Sequence, residues 1–167
     1  MDRDELRRRQ APLRERYATD PAAATAGLRA TGDFRDDGVT CTVDGFAGPV
    51  RAGLHPATGG DGTDACSGDL LLEALVACAG VTLRSVATAM RLTVHGVTAT
   101  AESSFDARGT LGTDPDAPVG IGPVTLTFTL DSDADDAALE RLARSTERYC
   151  VVGQSLRHPA RVVVHRA

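Results

Sequence analysis

Apolar positions along this 167-residue chain change their spacing several times, and each spacing predicts an element. From Asp2 to Arg16 they are few: Leu6, Leu13 and Tyr17 form a thin stripe in a charged segment, which predicts a polar helix over residues 2–17, ended by Asp20-Pro21. An Ala-rich stretch to Ala30 then leads into alternating segments, Val39–Val43 and Pro49–Leu54, with Asp36-Asp37-Gly38 as the turn before the first; these predict antiparallel strands. After a Gly-, Asp- and Thr-rich loop, residues 70–90 are almost continuously apolar, opened by Asp69 and interrupted by Glu73 and Arg84. They predict a long buried helix to about Arg91, with Ser67 as N-cap and Asp69 favourable in the first turn. Strands follow over Thr93–Asp106 and Val119–Asp131. In the second, Val124, Leu126, Phe128 and Leu130 alternate with Thr125, Thr127 and Thr129, so one face is buried. An acid-rich start predicts a helix from Asp133 to Arg148, then a short helix from near Cys150 and a last strand over Arg161–His165. Strands, central helix, strands, helices, strand: this order predicts an α+β fold and a single domain over residues 1–167, with residues 1–20 as a polar helical extension.

Composition refines the core. Aromatics are 4% of the chain, Trp is absent and Ile121 is the sole Ile, so Leu, Val and Ala must fill the interior. The apolar run at 70–90 approaches membrane-spanning length, but its charges favour a core helix, and no membrane partner is expected. The first residues are charged and lack the apolar run of a signal peptide, so the expected location is the cytoplasm. A net charge of -5 argues against a nucleic-acid partner. Arg7, Arg8, Arg9 and Arg14 are interleaved with Asp2, Asp4, Glu5 and Glu15 and read as a solvated helix face.

The chemistry rests on cysteine. Cys41, Cys66, Cys78 and Cys150, without a secretion signal, read as free or redox-active thiols rather than a disulfide framework. Cys78 lies among Ala74, Leu75, Ala77, Val81 and Thr82, where a thiol is most often a small core side chain. Cys150 is expected at a helix N-terminus, a position that lowers a thiol pKa. Two such sulfurs brought together make a peroxide-reducing dithiol, one attacking and one resolving. Cys66, beside the predicted N-cap, reads as an incidental loop cysteine, with a reactive thiol or alternative resolving partner as the other reading, and Cys41 as packing. The four cysteines and His55, His95, His158 and His165 form no CxxC or HxxxH pair, so no metal site is expected; the histidines read as surface groups.

Two strings carry a resemblance. Asp69-Leu-Leu-Leu-Glu-Ala-Leu-Val-Ala-Cys78-Ala-Gly-Val-Thr-Leu and Tyr149-Cys150-Val-Val-Gly-Gln-Ser-Leu156 resemble the two cysteine motifs of the OsmC/Ohr family, the osmotically inducible and organic hydroperoxide resistance proteins. The resemblance runs from about Ala24 to Val164. It implies an intertwined α+β homodimer, antiparallel sheets around long central helices set back to back, and a site at each subunit interface. By position it makes Cys78 the peroxidatic and Cys150 the resolving cysteine, working on alkyl or lipid hydroperoxides without metal or organic cofactor, with a lipoyl protein or thioredoxin-like dithiol as reductant. The family also uses an Arg to hold the thiolate, matched here by Arg29, with Arg35 as runner-up; a fixed cation favours thiolate over thiol. The family's Pro-Glu ahead of the central helix is here Ser67-Gly68, leaving Asp69 and Glu73 as the acids nearby. At about 100° per residue these are turned roughly 180° and 140° from Cys78, so Glu73 enters the candidate site only by proximity in sequence. A hydroperoxide reductase is the first expectation. The alternative is a dimer of the same fold that binds an apolar ligand with weak or no peroxidase activity.

Overall fold

The computed structural model describes every residue, Met1–Ala167, and its elements form two groups that differ in how well their apolar side chains are covered. Helix α1 (Arg3–Thr19) is N-capped by Asp2, whose carboxylate accepts the Glu5 N–H, and buries no residue. This matches its thin apolar stripe. A 3-10 turn over Pro21–Ala24 precedes the first sheet: β1 (Gly32–Asp33), β2 (Thr40–Gly45), β3 (Gly48–Gly53) and β4 (Ala65–Cys66), in that spatial order. The two-residue loop between β2 and β3 closes at Gly48, whose φ of 124° lies where a side chain is strained.

Helix α2 (Ser67–Met90) begins at Cys66 rather than Ser67 as N-cap, and the thiol makes no capping hydrogen bond. It ends at Arg91, which adopts the left-handed conformation at φ 59° while Leu92 N–H returns to the Ala87 carbonyl, a helix-closing arrangement that spares the last carbonyls. The second sheet is β5 (Val94–Glu102), β6 (Thr125–Ser132) and β7 (Arg161–Arg166), in that order. Both predicted strands are shorter than their apolar patterns suggest. Pro118 and Pro123, which lack a ladder donor, keep residues ahead of Thr125 out of β6, and the β5–β6 connection contains a short helix, α3 (Ala107–Leu111), capped by Asp106. The expected antiparallel sheets are mixed: β4 pairs parallel to β3, and β7 parallel to β6. Helices α4 (Asp136–Tyr149) and α5 (Val151–Gln154) lie between β6 and β7.

The core sits on one face of the second sheet. Leu126, Phe128 and Leu130 of β6 pack with Leu75 and Leu83 of α2 and Leu139 and Leu142 of α4, while Thr125, Thr127 and Thr129 take the opposite face, as the alternation predicts. Every buried apolar residue lies between Leu75 and Ala160; in the first sheet only Thr42 is buried. Helix α2 is long and apolar enough to cross a membrane by composition, but it buries Leu75, Ala79, Leu83 and Ala87 in this core. Those four positions are one helical face. The apolar residues on its other faces are left uncovered within one chain, Val81 being 72% exposed.

Candidate active site

Cys78 is half-buried in the middle of α2, next to the core stripe. Cys150 stands where α4 ends and α5 begins. Its φ of -76° and ψ of 107° take it out of the helix, so it is at once the C-cap of α4 and the N-cap of α5. Its N–H donates to the Thr146 carbonyl, its own carbonyl accepts from Gln154 N–H, and its Sγ accepts from Gly153 N–H at 3.3 Å. Three local bonds thus fix a side chain that is 2% exposed. Packing of α5 against α2 brings the two cysteines close enough that each shifts the pKa of the other.

The two thiols are pushed in opposite directions. Burial on its own raises Cys78, but the Val152 N–H, the Cys150 thiol, the Val151 N–H and the Thr82 hydroxyl outweigh it, and the net direction is down. Cys150 goes up: burial dominates, the Gly153 N–H opposes it, and the neighbouring Cys78 adds to it. The expectation that the helix start would lower Cys150 is therefore corrected. The N–H groups of Val151 and Val152 favour the Cys78 thiolate, while those of Gly153 and Val152 only partly offset the burial of Cys150. The result is a pair of thiols whose pKa values move apart, Cys78 down and Cys150 up.

The remaining sequence candidates fall elsewhere. Arg29 lies exposed in the segment between the 3-10 turn and β1. Arg35 is fixed on the first sheet, donating through Nε and Nη2 to Asp33 at 2.6 and 3.0 Å and through Nη2 to Asp44 at 2.6 Å. Glu73 is exposed and lines a groove between α2 and β5 with Asp69, Leu72 and Val76. Cys66 precedes Cys78 by twelve positions along one helix, a rise of about 18 Å, so within one chain it cannot resolve Cys78. Cys41 in β2 faces Ala52, and β3 separates it from Cys66 in β4. All four cysteines are free thiols. His55 is more than a surface group: its Nδ1 accepts the Ala57 N–H at 3.0 Å and its ring meets Phe105 edge-on at 5.1 Å. Two participants were missed in the sequence, Gly153 and Thr146. Thr146 is fully buried with an unpartnered hydroxyl, one helical turn before Cys150. The glycine three residues after a predicted capping cysteine was the signal available for Gly153.

A family profile described as "OsmC-like protein" matches residues 60–165. The chain belongs to the OsmC family. Solved structures share the fold at low identity. An organic hydroperoxide resistance protein from Elizabethkingia anophelis superposes with a TM-score of 0.69 at 15% identity, covering 86% of this chain and 99% of that one. One from Legionella pneumophila gives 0.65 at 18%, covering 86% and 98%, and an OsmC-like protein of unknown function from Vibrio cholerae gives 0.67 at 14%, covering 86% and 100%. No curated protein matches the sequence. As an OsmC-family chain it has the α+β fold that the family resemblance implies, with mixed rather than purely antiparallel sheets, and both cysteine motifs lie within the matched residues. Gly68, where the resemblance implies a glutamate, lies in the first turn of α2 and offers no carboxylate.

Proposed function

We propose that this OsmC-family protein is a cytoplasmic thiol peroxidase that reduces alkyl or lipid hydroperoxides through Cys78 and Cys150. The observation that supports it is the placing of Cys78 and Cys150 side by side by α2 and α5, with their thiol pKa values shifted in opposite directions. The Cys78 thiolate attacks the distal peroxide oxygen, the O–O bond breaks, and the alkoxide takes a proton to leave as alcohol; Cys78 becomes a sulfenic acid. Cys150 then attacks that sulfur, water leaves, and a disulfide forms. A dithiol of lipoyl or thioredoxin type reduces it, taking the oxidation onto its own sulfurs. No metal or organic cofactor is required by these steps. Burial of the Cys150 thiol suits its place in the sequence, because a resolving sulfur that stays protonated does not compete for the first peroxide.

The same reading makes the working unit a homodimer, and dimers are the rule in the family. Leu28 and Phe34 are 91% and 87% exposed, Phe46 and Val39 also stand in solvent, and α2 shows an uncovered apolar face. Two copies laid together can cover both sets, a cost in exposed area that one chain does not offset. Such an assembly is also the route by which an arginine reaches Cys78. Arg35, with its guanidinium held by Asp33 and Asp44, is better suited to that role than the unanchored Arg29, because a fixed cation loses less freedom in holding a thiolate. Glu73 points away from this pair and is a weak candidate. Gly68 and the apolar rim of Val81, Tyr149 and Val151, all exposed beside the thiols, favour one second reading, an apolar-ligand-binding dimer with little turnover.

The test is consumption of cumene hydroperoxide with dihydrolipoamide as reductant. Wild-type protein is expected to turn over many times. Cys150→Ser should consume one equivalent without dithiol and leave Cys78 as a sulfenic acid that overoxidises. No consumption by wild-type protein, with saturable binding of a fatty acid, is the result that selects the second reading.

A further inference from the structure

We propose that Gly153 is a positioning residue for the resolving step, holding the Cys150 sulfur aimed at Cys78 by its N–H and by the absence of a side chain. The inference rests on the dithiol reading above. Gly153 is buried in the first turn of α5, and its N–H donates to Cys150 Sγ at 3.3 Å. A methyl group added there would stand 3.3 Å from that same sulfur, 3.5 Å from Cys150 Cβ and 3.5 Å from Leu75 Cδ1. The glycine's φ is not positive, so backbone freedom does not explain the residue. Contact does.

Which neighbour yields decides the consequence. Leu75 is 1% exposed and belongs to the central cluster, where displacement disturbs many contacts. A void of about 10 Å³, close to the smallest space that holds one water, is bordered by Cys150, Leu75 and Gly153 alike, and of the atoms facing the added methyl group the Cys150 sulfur is the nearest, at 3.3 Å. The sulfur is thus the atom that the methyl group crowds most, and it is pushed out of its hydrogen bond and off its line to Cys78. A displacement of tenths of an ångström matters because attack of one sulfur on another requires alignment along the bond being broken. The first step uses only Cys78 and peroxide and should not feel the change.

Gly153→Ala tests this, since Ala favours the helical conformation that α5 already has. After one equivalent of cumene hydroperoxide, mass spectrometry should find wild-type protein as the disulfide. The variant should lose its Cys78 thiol at the wild-type rate yet form disulfide at least ~10-fold more slowly, a loss of orientation of the size positioning effects reach, and accumulate Cys78 sulfinic acid. Gly153→Ala combined with Cys150→Ser should match Cys150→Ser alone, because the residue acts only through that sulfur. A variant that forms disulfide as fast as wild type overturns the inference and leaves the dithiol reading intact. A wild-type chain that consumes peroxide without forming this disulfide removes both. Unchanged thermal unfolding, expected here, separates positioning from a general loss of structure.

Discussion

The chain is divided between a half that is finished and a half that is not, and each half holds two cysteines. From α2 to β7, helices pack on one face of a sheet and every apolar core residue is found. From β1 to β4, the sheet is held by backbone ladders and by ion pairs such as Arg35 with Asp33 and Arg51 with Asp64, which at an exposed surface contribute little. In the finished half, packing of α5 on α2 puts Cys78 against Cys150. In the open half, Cys41 and Cys66 stand two strands apart. The difference teaches that a dithiol is made by the packing around it. The four cysteines stand as one adjacent pair and two single thiols once the helices dock.

The largest expected effect is on turnover. Cys78→Ser should abolish hydroperoxide consumption, whereas Cys41→Ser with Cys66→Ser should leave it within about twofold, a margin under 0.5 kcal/mol in barrier height. Activity that survives Cys78→Ser would break the comparison outright. Next comes stability of the finished half: Phe128, fully buried at the centre of β6, should cost about 3–5 kcal/mol when changed to Ala, read as a fall in the urea midpoint. Phe46→Ser in the open half should leave the unfolding of a dissociated chain unchanged and act instead on assembly. Losing about 1.5–3 kcal/mol of apolar burial per copy raises the dimer dissociation constant by at least ~10-fold, which sedimentation at falling concentration measures; equal constants for both proteins would mean that no second copy covers this face. The smallest effect is a gain. Thr146→Val removes a fully buried, unpartnered hydroxyl while keeping its shape, and should stabilise the protein by about 1 kcal/mol.

What was legible in the sequence follows the same division. The apolar run over residues 70–90 and the alternation through Leu126, Phe128 and Leu130 announced the packed half, while the single face of the helix that this core covers, Leu75, Ala79, Leu83 and Ala87, emerged only from the fold. In the open half the strand pattern was visible, but Phe34 and Phe46 stand exposed, so no core within the chain answers to them. Helix α3 went unseen because five residues carry no period. At the site, the two motif cysteines were legible and their pairing followed from the resemblance. The direction of the Cys150 shift was not, because a helix-start rule counts the N–H groups and not the burial that outweighs them once α5 docks on α2. For the acid missing at Gly68 the sequence offered Asp69 and Glu73, neither on the helix face of Cys78.

One measurement bears most directly on the dithiol claim: peptide mapping of protein treated with one equivalent of a fatty acid hydroperoxide and then alkylated. The expected result is a single disulfide joining the peptides of Cys78 and Cys150, with Cys41 and Cys66 recovered as alkylated thiols. A disulfide involving Cys41 or Cys66, or four alkylated cysteines after the peroxide has been consumed, would contradict it.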